Sequence, residues 1–142
     1  MISWLTGKSK PDLKVDIHSH LLPGLDDGVK TLKESLDVIS TMAALGFEKL
    51  ITTPHIYPDF YPNTAQGIKQ SHQELIVAIE SAGIDICVEA AAEYFVDTDF
   101  LKSIKNGTDI LAFGNNKYVL IETGFQAKPI VLEETIFELK TH

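Results

Sequence analysis

Strand-like and helix-like segments alternate along this chain from Val15 onward, and this order constrains the fold more than any other feature. The predicted strands are Val15–His20, Lys49–His55, Ile84–Tyr94 and Lys117–Thr123. A segment with helical character follows each of them. Strands that alternate with helices favour βα units around a parallel sheet or barrel. We therefore predict an α/β fold built on parallel strands.

Local signals place the ends of the predicted helices. The first helix carries apolar residues at helical spacing, begins with a capping box formed by Thr31 and Glu34, and ends at Gly46. The later helices are placed after Pro62 and Asn63 as far as Gly83, over Asp99–Lys105, and from Pro129 onward.

The composition is that of one folded domain. A chain of 142 residues with 44% hydrophobic residues is long enough to bury a core. Residues 1–14 lie outside the alternation and are interpreted as an N-terminal tail, with residues 15–142 as the domain. No stretch approaches the roughly 18 to 20 consecutive apolar residues of a membrane-spanning helix, and no secretory signal is recognisable. The single cysteine, Cys87, is expected to be a buried strand residue in a reducing compartment, so we expect a cytoplasmic protein.

The charge pattern argues against one class of partner. The formal net charge is −8, and all twelve cationic side chains are lysines. Nucleic-acid-binding proteins cluster positive charge against the phosphate backbone, so this balance disfavours a nucleic-acid partner. The excess carboxylates belong either to an ordinary solvated surface or to a site that attracts cations. Their positions in the sequence are needed to choose between these two interpretations.

The segment VDIHSHLLPGLDDG carries the strongest chemical signal. Side chains alternate across a strand, so Asp16, His18 and His20 share one face. Two imidazoles about 7 Å apart can both ligate one cation, and Asp16 could accept a hydrogen bond from one ring behind it. An isolated pair of this kind is weak evidence, because half-buried surface histidines give the same pattern.

Further metal-capable side chains fall near the ends of the other predicted strands. They are His55, Glu93 and Glu122, with Asp26 and Asp27 on the loop after the first strand. Carboxyl ends of parallel strands meet at one rim, so these side chains are predicted to converge. Each also has a simpler interpretation, as a loop residue, a solvent-facing strand end or a turn former. His72 lies at the helical spacing of buried residues and is interpreted as a boundary residue and not a ligand.

The types of ligand narrow the chemistry. Imidazole and carboxylate without thiolate suit manganese, iron or zinc. Carboxylates crowded at one rim repel each other unless cations neutralise them, which makes more than one metal plausible. Clusters of such ions serve hydrolysis, especially of phosphate esters.

Four motifs together resemble a known family. "DIHSHLLPGLDDG", "ITTPH", "AAEYF" and "YVLIET" are similar to motifs of the polymerase and histidinol phosphatase (PHP) superfamily, specifically its bacterial protein-tyrosine phosphatases of capsule and exopolysaccharide synthesis. The resemblance covers essentially everything from Val15 onward. It implies a distorted seven-stranded (β/α) barrel with a trinuclear site that usually prefers manganese.

The resemblance also implies roles for individual residues and a substrate. By position, His18 and His20 match ligands of the first metal, Glu93 the carboxylate that bridges the first and second, Glu122 a ligand of the second, and Asp27 with His55 ligands of the third. The implied reaction is attack of a metal-bridging hydroxide on phosphotyrosine of the cognate bacterial tyrosine kinase.

The resemblance has one large departure. The family continues with a strand ending in histidine, a nearby arginine and a later Asp-x-His, whereas this sequence stops at His142 with about four strands. We therefore expect an incomplete barrel that is inactive alone. Two alternatives stay open: a small-molecule phosphomonoesterase of the histidinol-phosphatase type, and a non-catalytic interaction module that forms homo-oligomers through exposed barrel edges.

Overall fold

Six short strands and four helices alternate in the computed structural model, which describes residues 13–115 and 117–141. In chain order the elements are β1 (Val15–Ser19), α1 (Leu32–Leu45), β2 (Lys49–Thr52), β3 (His55–Ile56), α2 (Ala65–Ser81), β4 (Cys87–Ala90), β5 (Glu93–Phe95), α3 (Thr98–Lys105), β6 (Leu120–Glu122) and α4 (Leu132–Thr141). Residues 1–12 of the predicted tail and His142 lie outside the described residues.

The strands form two three-stranded parallel sheets. One sheet has the order β1-β2-β4 and the other the order β3-β5-β6. Parallel pairing confirms the prediction of βα units. Within the described residues the two sheets do not close into a barrel, as expected for an incomplete one.

The second and third predicted strands are each divided in two. The segment predicted as Lys49–His55 leaves the first sheet after β2, because Pro54 has no N–H with which to continue the ladder, and re-enters the second sheet as β3. The next strand divides in the same way between β4 and β5. Backbone hydrogen bonds cross the break, from Ala91 N to Thr52 O at 2.9 Å and from Glu93 N to Pro54 O at 3.1 Å. The segment from β2 to β3 and the segment from β4 to β5 therefore pass from the first sheet to the second side by side, and their pairing stays in register.

The helix ends follow the predicted signals. Thr31 caps α1 and its side chain accepts from Glu34 N, while the Glu34 carboxylate accepts from Thr31 N, so the capping box is confirmed. Gly46 ends α1 in the left-handed conformation with φ 103°, which glycine adopts at little cost. The N-cap of α2 is Thr64, which agrees with the predicted start of this helix after Pro62 and Asn63.

The core lies between the first sheet and the helices that cover it. Ile39 of α1, Leu50 of β2 and Ile68 and Leu75 of α2 are fully buried. Burial of each such side chain stabilises the fold by about 1.5–3 kcal/mol. Cys87, which the sequence predicts to be buried, is exposed because it is the first residue of β4 at the sheet margin. No described helix is both long and apolar enough to cross a membrane.

Tyr94 gives a prediction about alkaline stability. Its ring is buried, its hydroxyl oxygen accepts from Leu111 N at 2.7 Å, and burial raises the pKa of the phenol to about 12. The unfolded chain releases this proton near pH 10, so the folded state holds more protons between about pH 10 and 12 and stability falls there as pH rises. We expect Tyr94→Phe to reduce this fall while costing about 1–3 kcal/mol at pH 7, since Leu111 N loses its acceptor. Urea unfolding at pH 7, 10 and 11 measures both effects; equal pH slopes for the two proteins would contradict the assignment.

Candidate metal centre

The predicted site residues meet where the chain passes from one sheet to the other. His18 lies in β1 and His20 follows that strand, whereas His55 and Glu93 are the first residues of β3 and β5. His55 and Glu93 are paired neighbours in the parallel ladder. The sequence predicts these two side chains at strand ends; the structure places them at strand starts because the long strands are divided. Their convergence is nevertheless as predicted.

The Glu93 carboxylate is the centre of the cluster. Its oxygens lie 3.2 Å from His55 Nδ1, 3.6 Å from His20 Nε2 and 3.9 Å from His18 Nε2. The side chain is only 10% exposed. A buried carboxylate beside three imidazole nitrogens brings oxygen and nitrogen donors together in one small volume.

His55 connects Glu93 to the remaining carboxylates. Its Nδ1 is 3.4 Å from Glu122 Oε2, and its Nε2 is 3.6 Å from Asp27 Oδ1. Nδ1 is buried without a hydrogen-bond partner, a condition it shares among the described residues with Thr135 Oγ1. A buried polar atom without a partner is costly. A cation held between His55, Glu93 and Glu122 would satisfy it.

Asp26 orients His20 from the loop after β1. Its fully buried side chain accepts from His20 Nδ1 at 2.7 Å, and also from the backbone N–H groups of Gly28 at 2.9 Å and His55 at 3.0 Å. The hydrogen bond to Asp26 raises the pKa of His20. Burial would raise the pKa of Asp26, but the hydrogen bonds it accepts outweigh burial and lower that pKa. With Nδ1 engaged, His20 offers Nε2, the nitrogen that faces Glu93.

Thr53 has the same function for His18. Its Oγ1 shares a hydrogen bond of 2.7 Å with His18 Nδ1, which leaves Nε2 to face Glu93. The sequence predicts Asp16 as the carboxylate behind these rings. In the structure both Nδ1 atoms are taken by Asp26 and Thr53, and the pairing of β1 shifts between Asp16 and Ser19, which breaks the alternation behind that prediction.

The donors fall into three overlapping groups that fit a divalent cation. They are His18, His20 and Glu93; His20, Asp27 and His55; and His55, Glu93 and Glu122. Within each group the ligand atoms lie within 4.8 Å of one another. Because His20 Nδ1 is hydrogen-bonded to Asp26 and Nε2 faces Glu93, we assign His20 to the first group. Imidazole nitrogen with carboxylate oxygen suits manganese, iron or zinc. His72 is outside these groups, and its Nε2 instead contacts Val88 O at 2.9 Å, consistent with a boundary residue.

The sequence indicated Asp26 only as a possible metal ligand, and it did not indicate Thr53 or the aromatic residues near the cluster. Asp26 and Thr53 are the partners that orient the histidines; the signal for Asp26 was its place in the DDG turn beside Gly28. A set of aromatic rings lies beside His55, on the turn after β3 and in β5. The segments HIYPDFY and AAEYF show these rings in the sequence but not the direction in which they point.

Comparison with known proteins places this geometry in context. The family model described as "Capsular polysaccharide synthesis, CpsB/CapC" matches residues 14–141. Tyrosine-protein phosphatase YwqE of Bacillus subtilis is 25% identical over 126 residues, covering 89% of this chain and 49% of YwqE. Tyrosine-protein phosphatase CpsB of Streptococcus agalactiae is 28% identical over 112 residues, covering 79% and 46%. This chain therefore spans about half the length of the curated relatives it matches.

A solved structure confirms the fold. The crystal structures of YwqE from Bacillus subtilis and CpsB from Streptococcus pneumoniae, described as unique metal-dependent tyrosine phosphatases, include a chain that superimposes with a TM-score of 0.79. Sequence identity is 24%, and the match covers 89% of this chain and 51% of the other. The two parallel sheets thus correspond to part of a larger known architecture.

Proposed function

The chain belongs to the CpsB/CapC family of capsular polysaccharide synthesis proteins, and from this premise we propose that its histidine and carboxylate cluster is part of the centre of a metal-dependent protein-tyrosine phosphatase. The observation that carries the proposal is the position of Glu93, within 3.9 Å of imidazole nitrogens of His18, His20 and His55. The named activity of the relatives, tyrosine-protein phosphatase, supports the reaction class.

The proposed ligands are the side chains that converge at the junction of the sheets: His18, His20, Asp27, His55, Glu93 and Glu122. We propose two or three ions in the complete enzyme, with manganese preferred over iron or zinc, in a barrel of the PHP type. When bound, such ions lower the pKa of water and neutralise charge on the transferring phosphoryl group. Asp26 and Thr53 each engage the Nδ1 atom of one imidazole, which keeps the Nε2 atoms of His20 and His18 directed at Glu93.

The proposed substrate is phosphotyrosine on a bacterial tyrosine kinase of capsule or exopolysaccharide synthesis. Phenolate is a good leaving group because its conjugate acid has a pKa near 10, so hydrolysis requires little help from a general acid. The carboxylates at the site would repel a phosphate ester in the absence of cations, which makes binding of this substrate depend on the metal. The cytoplasmic location expected from the sequence stays a prediction.

Metal uptake tests the proposal directly. We expect the metal-stripped chain to bind Mn²⁺ in calorimetry, to melt at a higher temperature with it, and to lose both effects when EDTA is added. His55→Ala should abolish most of this uptake, because His55 is the residue that connects Glu93 with Asp27 and Glu122. His72→Gln is the matched control, since His72 is half-buried but lies outside the cluster.

Two results would contradict the proposal. One is the absence of metal uptake by the wild-type chain. The other is release of phosphate from a phosphotyrosine peptide that continues unchanged in EDTA. A chain without metal uptake that forms a stable dimer in light scattering would instead favour an interaction module, for which Leu13, Val15 and Ile17 at the open edge of β1 provide exposed apolar surface.

A further inference from the structure

A cavity lined largely by aromatic rings lies against the proposed metal centre. Its volume is about 220 Å³. Three of its lining residues, Asp27, His55 and Glu122, belong to the cluster described above. The other four are Tyr57, Phe60, Tyr61 and Phe95. Chemically active groups and an apolar wall therefore face the same space.

The rings come mostly from one tight turn after β3. Tyr57 N donates to Tyr61 O at 3.0 Å, Phe60 N donates to Tyr57 O at 3.0 Å, and Tyr61 N donates to Tyr57 O at 2.6 Å. Asn63 fastens the end of the turn, since its Nδ2 donates to Leu25 O and His55 O, each at 2.8 Å. The backbone of this segment is thus held in place before any ligand arrives.

The rings also support one another. Tyr57 stacks on Phe95 with centroids 4.1 Å apart and planes 14° from parallel, and Phe60 contacts Tyr57 at 4.9 Å. Tyr61 stacks on the imidazole of His55 at 5.1 Å and 12°. Because His55 is a proposed ligand, the aromatic wall and the metal centre share a residue in direct ring contact.

The size of the cavity suits one aromatic ring. An apolar cavity of about 150 Å³ binds benzene, so 220 Å³ accommodates a phenyl ring with part of its substituents. Aromatic faces attract another ring in stacked or edge-to-face arrangements beyond simple area burial. An alkyl chain would fill the space without this ring-to-ring contact.

We propose that this cavity is the subsite for the aromatic ring of an aryl phosphate, and that Tyr57, Phe60 and Phe95 make the site select phosphotyrosine over alkyl phosphate esters. The inference rests on the proposed function, because it places the phosphate at the metal centre beside His55. Phe60 is the most accessible contributor, with 68% of its surface exposed at the tip of the turn.

Binding of two non-hydrolysable probes tests the inference without requiring turnover. Benzylphosphonate imitates an aryl phosphate, and propylphosphonate imitates an alkyl phosphate of similar charge. With the 142-residue chain saturated with Mn²⁺, calorimetry should give a Kd for benzylphosphonate about five to ten times lower than for propylphosphonate. Phe60→Ala and Phe95→Leu should each reduce that ratio severalfold by weakening the aryl probe alone.

Phe137→Ala is the matched control, because Phe137 is 64% exposed on α4 and does not line the cavity. It should keep the wild-type ratio, and circular dichroism should show all three variants folded. Equal affinities for both probes in the wild type would overturn the aryl subsite while leaving the metal-dependent phosphatase intact. A preference that survives both cavity variants would overturn it as well. Failure of both probes to bind the Mn²⁺-loaded chain would instead contradict the proposed function, and the subsite with it.

Discussion

Replacing Gly28 with alanine is expected to weaken metal binding and destabilise the fold at the same time. A Cβ at this position would lie 2.4 Å from His20 Cβ and 2.5 Å from His20 O, and 3.1 Å from Asp26 Oδ1. The first two distances are far below contact distance, and neither involves the flexible end of a side chain. The loop or the end of β1 must therefore move.

The surrounding hydrogen bonds make that movement costly. Gly28 N donates to Asp26 Oδ1, and Val29 N donates to His20 O at 3.3 Å. The loop is therefore hydrogen-bonded to His20, the same residue that the new Cβ would displace. Overpacking of this kind costs about 1–3 kcal/mol. Loss of the Asp26 contact that orients His20 should lower metal affinity about 10–100-fold. Thermal unfolding of the metal-free protein and Mn²⁺ titration measure the two effects.

Gly67→Ala is the control for this substitution. Gly67 lies in α2, and a Cβ there would approach only Thr64 Oγ1, at 3.3 Å. Alanine is the better helix former by up to about 1 kcal/mol, so this variant should be as stable as the wild type or more so, with normal metal uptake. Wild-type melting and metal affinity in Gly28→Ala would show that the loop does not position His20.

The meeting of the candidate ligands could be predicted because it depends on topology alone. His55 and Glu93 are far apart in the chain, but parallel βα units bring corresponding positions of neighbouring strands side by side. Periodicity reveals such units in a single sequence. The helix caps at Thr31 and Gly46 were predictable for a similar reason, since their signals are confined to a few residues.

The divisions of the strands could not be predicted in this way. KLITTPH reads as one strand, yet the chain changes sheets at Pro54, and the third strand has no proline at its corresponding break. That second break follows from hydrogen bonding to the first, through Ala91 and Glu93. The side-chain partners of the histidines could not be predicted either, because they depend on tertiary geometry. The sequence suggested Asp16 as the partner of a histidine, and the structure uses Asp26 and Thr53.

The substitution Glu93→Gln is expected to lower Mn²⁺ affinity by at least about 100-fold, or about 2.7 kcal/mol, with little effect on the metal-free fold. Glutamine keeps the shape of the side chain but removes the negative charge that three imidazole rings face. It also replaces one oxygen with an NH₂ group that cannot ligate a cation. Glu93 is buried at the junction of the sheets, where solvent screens its charge only weakly. Calorimetric titration and urea unfolding in EDTA separate the two quantities.

Measuring the two quantities separately matters because a misfolded variant would lose both Mn²⁺ affinity and stability. Glu89→Gln is the matched control: Glu89 occupies β4, one strand earlier in the chain, is half-exposed, and pairs with Lys49 at 2.6 Å away from the cluster. Exposed ion pairs contribute little, so this variant should keep both metal affinity and stability to within about 1 kcal/mol. Wild-type Mn²⁺ affinity in Glu93→Gln would remove the central carboxylate from the proposed centre. In that case the convergence of His18, His20 and His55 on it would need an explanation other than a shared cation.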